Sequence, residues 1–88
     1  MNVQFKKSFL KDIKKITNIK LQESVYTCII HVEAAETTRS IKNLKKLVGF
    51  NDYYRIKIGD YRIGLQIVEK EVFYVVFEHR KEIYNTFP

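Results

Sequence analysis

Apolar residues in the first half of the chain recur with the period of an α-helix. A first amphipathic helix is predicted from four of them, which are Phe9, Leu10, Ile13 and Ile16. Ser8 is the candidate N-cap of this helix, because its hydroxyl can accept a backbone N–H of the first turn. A second helix is predicted from Leu21 to about Ala35, and Thr17-Asn18 favours a tight break that makes the pair a hairpin. Residues 2–5, which precede the first helix, are predicted to form a short edge strand.

In the second half of the chain the apolar period changes to two, which indicates β-strands. Residues 54–58 and 61–67 alternate in this way on either side of Gly59-Asp60, a two-residue hairpin turn. A turn of this length fixes the cross-strand pairs, which are Ile58 with Tyr61, Lys57 with Arg62, Ile56 with Ile63, and Arg55 with Gly64.

The remaining segments complete a small α+β fold. Residues 72–77 are apolar on both faces, as in a central strand covered on both sides. Residues 81–87 are long enough for one or two turns of terminal helix, whereas residues 37–50 are irregular and are expected to form a short turn of helix or a tethered loop. The predicted order is β-α-α-β-β-β-α, with the N-terminal helical hairpin packed on a small, mostly antiparallel sheet, in one domain spanning residues 1–88.

Composition narrows the class of protein without identifying a reaction. The 88 residues are 45% hydrophobic, which is typical of a folded globule rather than a disordered chain. The single cysteine, Cys28, cannot form an internal disulfide, and no Cys/His cluster suggests a metal, so we expect neither metal nor cofactor. Apolar runs are too short to span a bilayer and the N-terminus has no signal-peptide core. We therefore expect a cytoplasmic protein without membrane contact.

Positive charge is concentrated where the hairpin is predicted. The net charge is +6, and residues 37–62 carry seven cations against two carboxylates. The register gathers Arg55, Lys57 and Arg62 on one sheet face, although like charges opposed across a strand pair are destabilising by up to about 1 kcal/mol. Gly64, opposite Arg55, leaves a gap beside them. Exposed strands often carry a cation, but three cations beside a gap favour a site for an anion.

The register of the next strand decides what joins this patch. If residues 69–71 form a three-residue turn, the cross-strand pairs are Val68 with Val72 and Arg62 with Glu78. In that register Glu78 is a salt-bridge partner of Arg62, and Arg80 extends the same face. A two-residue turn would flip the strand and offer His79 instead. Both alternatives stay open, because the strand is apolar on both faces.

A basic cluster with tyrosines nearby suits the cleavage of RNA. In this reaction the 2′-OH attacks the adjacent phosphate, so the site must remove a proton, stabilise charge on phosphorus and protonate the leaving 5′ oxygen. Lys and Arg side chains stabilise that charge, and an amine crowded by guanidinium groups loses its proton more easily. Tyr53 and Tyr54 can stack on unpaired bases, and Lys45 and Lys46 can contact the RNA. Cys28 is more simply a packing residue.

Two motifs together resemble the toxins of the RelE/ParE superfamily. They are YRIKIGDYRIG (residues 54–64) and FEHRKEIY (residues 77–84), and NLKKLVG (residues 43–49) is similar to the usual lead-in to the sheet. The likeness covers nearly the whole chain. It implies a RelE-like fold of the microbial-ribonuclease type and the toxin half of a type II toxin–antitoxin system. RelE-like members are metal-independent endoribonucleases that cut mRNA in the A site of the 70S ribosome, leaving a 2′,3′-cyclic phosphate.

The resemblance also implies an active site. The family's motif positions correspond to Arg55, Lys57, Arg62, Arg80 and Tyr84. In this assignment Lys57 helps to activate the 2′-OH, while Arg62 and Arg80 hold the phosphate and its transition-state charge. Arg55 positions the backbone, and Tyr84 stacks on or orients the nucleotide. Because Arg keeps its proton, Lys57 is the one amine base. His79 is an alternative acid or base, or a strand-end histidine hydrogen-bonded to the backbone.

Two other functions stay open at this point. A ParE-like toxin has the same fold but inhibits DNA gyrase, and it has no use for a set of residues that cleaves a phosphodiester. A non-catalytic ribosome- or RNA-binding module would use the basic face alone. The family resemblance further implies a cognate, RelB-like antitoxin, amphipathic and acidic, which wraps the toxin and covers or distorts its basic face.

Overall fold

Five strands, three α-helices and one turn of 3₁₀-helix follow one another in the computed structural model, which describes all 88 residues. In chain order they are β1 (Asn2–Phe5), α1 (Lys7–Ile13), α2 (Ile19–Ala34), the 3₁₀ turn (Thr38–Ser40), β2 (Leu44–Lys46), β3 (Tyr53–Ile58), β4 (Tyr61–Val68), β5 (Glu71–His79) and α3 (Ile83–Thr86). No helix is both long and apolar enough to cross a membrane.

The strands form one sheet in the order β1-β5-β4-β3-β2. Only β1 runs parallel to its neighbour, and the other pairs are antiparallel. This confirms the predicted α+β fold, with β1 as an edge strand and a helical hairpin before the meander. The strand β2 was not predicted. Its three residues are too few to show a period of two, and they pair with β3 at the opposite edge.

A polar side chain near the start of each of α1 and α2 makes a hydrogen bond, and the bond made in α1 differs from the predicted one. Asn18 caps α2, because its side-chain oxygen accepts the Leu21 N–H at 3.0 Å. Ser8 is not the N-cap of α1, since the helix begins at Lys7 after an extended Lys6. The Ser8 hydroxyl instead donates to the carbonyl of Val75, which ties the first turn of α1 to β5.

The main core lies between the helical hairpin and one face of the sheet. Its buried residues include Phe9, Val25 and Val32 from the helices and Ile56, Ile63, Leu65, Ile67, Val72, Tyr74 and Phe77 from the strands. Tyr74 is fully buried, and its ring centroid lies 5.2 Å from that of Phe5 and 5.2 Å from that of Phe9. Its hydroxyl has no hydrogen-bond partner, and burial raises the pKa of Tyr74 far above its usual value.

Tyr74→Phe is therefore expected to stabilise the protein by about 1 kcal/mol, because it removes a buried hydroxyl without a partner and keeps the aromatic packing. The change would be measured as an increase in the midpoint of urea unfolding. Tyr26→Phe is the matched control, since Tyr26 is 67% exposed and its hydroxyl is free to meet water. A loss of stability in Tyr74→Phe would contradict the prediction and assign a partner to the hydroxyl.

The other face of the sheet is covered by the C-terminal segment. Val76, Ile83 and Phe87 form a second buried cluster there. Gly64 lies beneath it, and a Cβ built on this residue would come within 2.8 Å of the Phe87 ring. The predicted gap opposite Arg55 is thus filled by Phe87, so the interpretation of Gly64 as space left for an anion is wrong. The glycine makes room for the ring that fixes α3 to the sheet.

The strand registers explain which residues lie near the predicted patch. All four predicted pairs of the β3–β4 hairpin are confirmed. Between β4 and β5, the predicted pair of Arg62 with Glu78 is confirmed, but Val68 lies opposite Glu71 rather than Val72. The turn is the shorter alternative. An irregularity at Val75, which has no partner between Tyr74 and Val76, restores the register by the time the strands reach Arg62.

Candidate active site

An open depression of about 370 Å³ on the α3 side of the sheet is lined by five residues, four of them cationic, and we call it the basic cleft. The five are Arg55, Arg62, Arg80, Lys81 and Tyr84. The strand β3 carries Arg55 and β4 carries Arg62, while Arg80 and Lys81 follow directly after the end of β5. The helix α3 supplies Tyr84. Four of the residues predicted for the site are therefore brought together.

Arg55 and Tyr84 contact each other inside the cleft. Arg55 Nη1 donates to the Tyr84 hydroxyl at 3.0 Å, and the guanidinium carbon lies 5.3 Å from the centre of the tyrosine ring. This hydrogen bond lowers the pKa of Tyr84, and the positive charges of Arg55, Arg62 and Lys45 act in the same direction. Tyr84 is 75% exposed, so its ring and oxygen are both accessible to a ligand.

The coupling between these two groups can be measured by titration. Arg55→Gln is expected to raise the pKa of Tyr84, because the neutral side chain no longer favours the phenolate. Nuclear magnetic resonance of ring-labelled tyrosine, followed against pH, would show the shift. Lys20→Gln removes a cation from α2, on the other side of the sheet, and should leave the Tyr84 curve in place. Equal curves for wild type and Arg55→Gln would contradict the contact.

Arg62 is held by backbone rather than by an acidic partner. Its Nη1 donates to the carbonyls of Gly59 at 2.8 Å and Tyr61 at 2.9 Å. The predicted salt bridge to Glu78 is wrong, because the one ion pair of the chain joins Arg80 to Asp60. The Glu78 carboxylate accepts a hydrogen bond from the Thr86 hydroxyl at 2.7 Å. The charge of Arg62 is therefore oriented by neutral groups and is not neutralised.

Arg80 is oriented by the β3–β4 turn. Its backbone N–H donates to the Asp60 carbonyl at 2.8 Å, which fixes the chain after β5 against the turn. Its side-chain Nε lies 3.9 Å from Asp60 Oδ1, and both side chains are more than half exposed. An exposed pair at this distance contributes little free energy. An incoming anion can therefore replace Asp60 as the partner of Arg80 at small cost.

Two lysines extend the basic face beyond the cleft. Lys57 is exposed and lies opposite Arg62, so it shares the face of Arg55 but does not line the depression. Lys45 lies opposite Arg55 on the edge strand and continues the positive face toward β2. Lys46, the next residue, pairs with Tyr54 and alternates to the other face of the sheet.

Three of the predicted residues lie elsewhere. His79 faces the helical hairpin with Tyr61, whose ring centre is 5.3 Å away, and its Nδ1 accepts the Lys81 N–H at 3.2 Å. It thus has the backbone-bonded position that the sequence left open. Tyr54 packs against the main core. Tyr53 lies edge-on to Phe87 at 5.5 Å, within the second cluster.

One cleft residue was missed by the sequence reasoning. Lys81 lines the basic cleft beside Arg80, and its place in the run HRKE, directly after Arg80, is the signal that could have indicated it. No carboxylate lines the cleft, and the one paired with a cleft cation is the exposed Asp60 beside Arg80. Nowhere in the chain do three His, Cys, Asp or Glu side chains gather as possible ligands of a metal ion. The arrangement is suited to binding a phosphodiester and stabilising added negative charge.

Known proteins are similar to this chain along its whole length. The family model described as the ParE toxin of type II toxin–antitoxin systems, parDE, matches residues 3–84. Toxin RelE3 of Methanocaldococcus jannaschii is 33% identical over 89 residues, which cover 100% of this chain and 100% of that protein.

Solved structures show the same similarity. In a RelB–RelE antitoxin–toxin complex from Methanococcus jannaschii, one chain is 30% identical with a TM-score of 0.80, covering 96% of this chain and 98% of that one. The YoeB dimer from Staphylococcus aureus, at 13% identity, shares the fold with a TM-score of 0.73, covering 90% of this chain and 95% of that one. As the two motifs predict, and because the family model spans most of its length, the chain belongs to the RelE/ParE superfamily of toxins of type II toxin–antitoxin systems.

Proposed function

We propose that this toxin is a metal-independent endoribonuclease that cuts mRNA, in the A site of the ribosome, by attack of the 2′-OH on the adjacent phosphate. The observation that carries the proposal is the basic cleft, in which three guanidinium groups and a tyrosine face one depression of about 370 Å³. A phosphodiester that gains a fifth oxygen gains negative charge, and oriented cations stabilise that charge more than they stabilise the ground state.

The positions of the side chains support a division of roles. Arg62 and Arg80 would bind the phosphate, since the first is oriented by two carbonyls and the second has only a weak exposed partner. Arg55 would position the RNA backbone and hold Tyr84 through their hydrogen bond. Tyr84 would orient the nucleotide with its exposed ring.

Proton transfer is assigned to the face that carries the cleft. Lys57 lies opposite Arg62 on this face and would activate the 2′-OH as the amine base. Tyr84, whose pKa is lowered by Arg55, would donate its phenolic proton to the leaving 5′ oxygen. His79 faces the helical hairpin instead, which disfavours it as the acid or base.

An acidic antitoxin is the partner that this toxin would need. The net charge is +6, and the basic cleft has one weak internal ion pair. The similar chain from Methanococcus jannaschii was solved as a complex of RelB and RelE. We infer that a RelB-like segment, amphipathic and acidic, wraps this toxin in the cytoplasm and covers its basic face.

One observation favours a second function. The matching family model carries the ParE description, and a ParE-like toxin of this fold would inhibit DNA gyrase without cutting RNA. Expression in bacteria without an antitoxin separates the two. We expect growth arrest with cuts inside the codons of translated messages, mapped by primer extension and absent when translation is blocked. Intact messages together with accumulating gyrase–DNA breaks would reject the nuclease and support the gyrase inhibitor.

A further inference from the structure

A second depression, of about 460 Å³, adjoins the basic cleft and shares Arg55 and Tyr84 with it. Its other lining is largely apolar and includes Val48, Phe50 and Phe87, which we call the apolar wall. Val48 is 92% exposed and Phe50 is 49% exposed. Exposed apolar side chains grouped beside a charged cleft mark a binding surface more often than a structural one.

The apolar wall is fixed in place from behind. The Phe50 ring meets Tyr53 edge-on with centroids 6.4 Å apart, and Tyr53 meets Phe87 edge-on at 5.5 Å. Two backbone hydrogen bonds close the loop between β2 and β3, from Leu47 N–H to the Tyr53 carbonyl at 2.9 Å and from Ile67 N–H to the Asp52 carbonyl at 2.8 Å. The wall is therefore presented by a closed loop rather than by a loose one.

The chemistry of the two depressions together specifies one kind of ligand. It has an anionic group for the basic cleft and, within reach of it, a flat apolar face for Phe50. It also tolerates positive charge around it, since Lys45 lines the same depression on the face of Arg55. A nucleotide in single-stranded RNA has these properties, because each phosphate is joined through a sugar to a base that can stack on an aromatic ring.

We propose that the apolar wall is a base-binding subsite, in which Phe50 stacks on the nucleobase next to the phosphate held by Arg55, Arg62 and Arg80. This inference rests on the proposed function and adds a specificity-determining residue to it. It also changes the part expected of Tyr53, which supports the wall from behind instead of stacking on a base itself. The base would sit between Phe50 and the exposed Tyr84 ring, which both line the depression.

The test uses a short single-stranded RNA made resistant to cleavage by 2′-deoxy sugars, and the same oligonucleotide with one base removed. Binding to the full chain would be followed by nuclear magnetic resonance titration, which also measures weak complexes. Phe50→Ala is expected to weaken binding of the intact oligonucleotide about ten-fold or more and to leave binding of the abasic one within about two-fold. Tyr26→Ala, which removes an exposed aromatic residue from α2, should change neither.

The outcomes distinguish a failure of the base-binding subsite from a failure of the proposed function. If Phe50→Ala weakens the binding of both oligonucleotides equally, the subsite is overturned and Phe50 has a structural role instead. An unchanged affinity for RNA, with weaker binding of the antitoxin, would overturn it in favour of a protein interface. In either case the proposed function survives if Arg62→Ala still weakens both oligonucleotides. If Arg62→Ala and Phe50→Ala both leave RNA binding unchanged, the inference and the proposed phosphate site fail together.

Discussion

Arg80→Ala and Tyr84→Ala are each expected to lower the rate of message cleavage about 100-fold or more and to abolish toxicity. Arg80 is expected to meet the phosphate, and its only partner in the structure is a distant, exposed Asp60 carboxylate. Tyr84 touches only Arg55 among the polar groups and is 75% exposed. Neither side chain contributes to a buried cluster, so both variants should keep the wild-type stability. The readouts are primer extension of a reporter message and growth after induction.

Matched controls show whether toxicity is lost because these two positions are needed, or because the protein has lost any cation or any exposed tyrosine. Lys70→Ala removes a cation from the β4–β5 turn, at the other end of the sheet from the β3–β4 turn. Tyr26→Ala removes an exposed tyrosine from α2. Both should remain toxic, and urea unfolding should confirm that all four variants fold. If Arg80→Ala and Tyr84→Ala remain fully toxic while the proteins are folded, the assignment of the basic cleft as the active site is wrong.

The part of the site that could be predicted from sequence is the part fixed by local rules. The turn at Gly59-Asp60 determines a hairpin register, and that register alone places Lys57 opposite Arg62 and Arg55 opposite Gly64. Helical spacing and the Asn18 cap likewise define α2. Each of these signals lies within a few residues of the feature that it specifies, so no tertiary information is needed to use it.

The errors arise where distant residues decide the outcome. The content of the space above Gly64 depends on Phe87, which lies at the far end of the chain and folds back over the sheet. The pairing of β5 depends on an irregularity at Val75, whose own carbonyl accepts a hydrogen bond from the Ser8 hydroxyl of α1. A strand that is apolar on both faces has no alternation to reveal such a shift. The side of the sheet that His79 occupies follows from that irregularity and could not be read from the sequence.

The same long-range contact gives the second large effect, because Gly64→Ala is expected to destabilise the protein by about 1–3 kcal/mol. The added Cβ would lie 2.7 Å from a Val76 methyl carbon and 2.8 Å from two carbons of the Phe87 ring, all of them in the buried second cluster. A change from Gly to Ala at an unstrained site usually stabilises a protein by about 0.4–1 kcal/mol. A loss of stability in this variant, rather than a gain, is therefore itself evidence for the contact. Since Phe87 anchors the segment that carries Tyr84, the variant should also lose toxicity. Urea unfolding would measure the first effect, and growth after induction the second.

A double-mutant cycle with Phe87→Ala identifies the ring as the cause. Phe87→Ala alone should cost about 3 kcal/mol or more through the cavity that it leaves. In that background the alanine at position 64 gains space, so adding Gly64→Ala should cost at least about 1 kcal/mol less than it does in the wild type. Gln66→Ala, at the next position on the same face of β4, should cost the same in both backgrounds. Additive effects of Gly64→Ala and Phe87→Ala would show that the glycine serves the backbone rather than the ring, and α3 would then need another anchor.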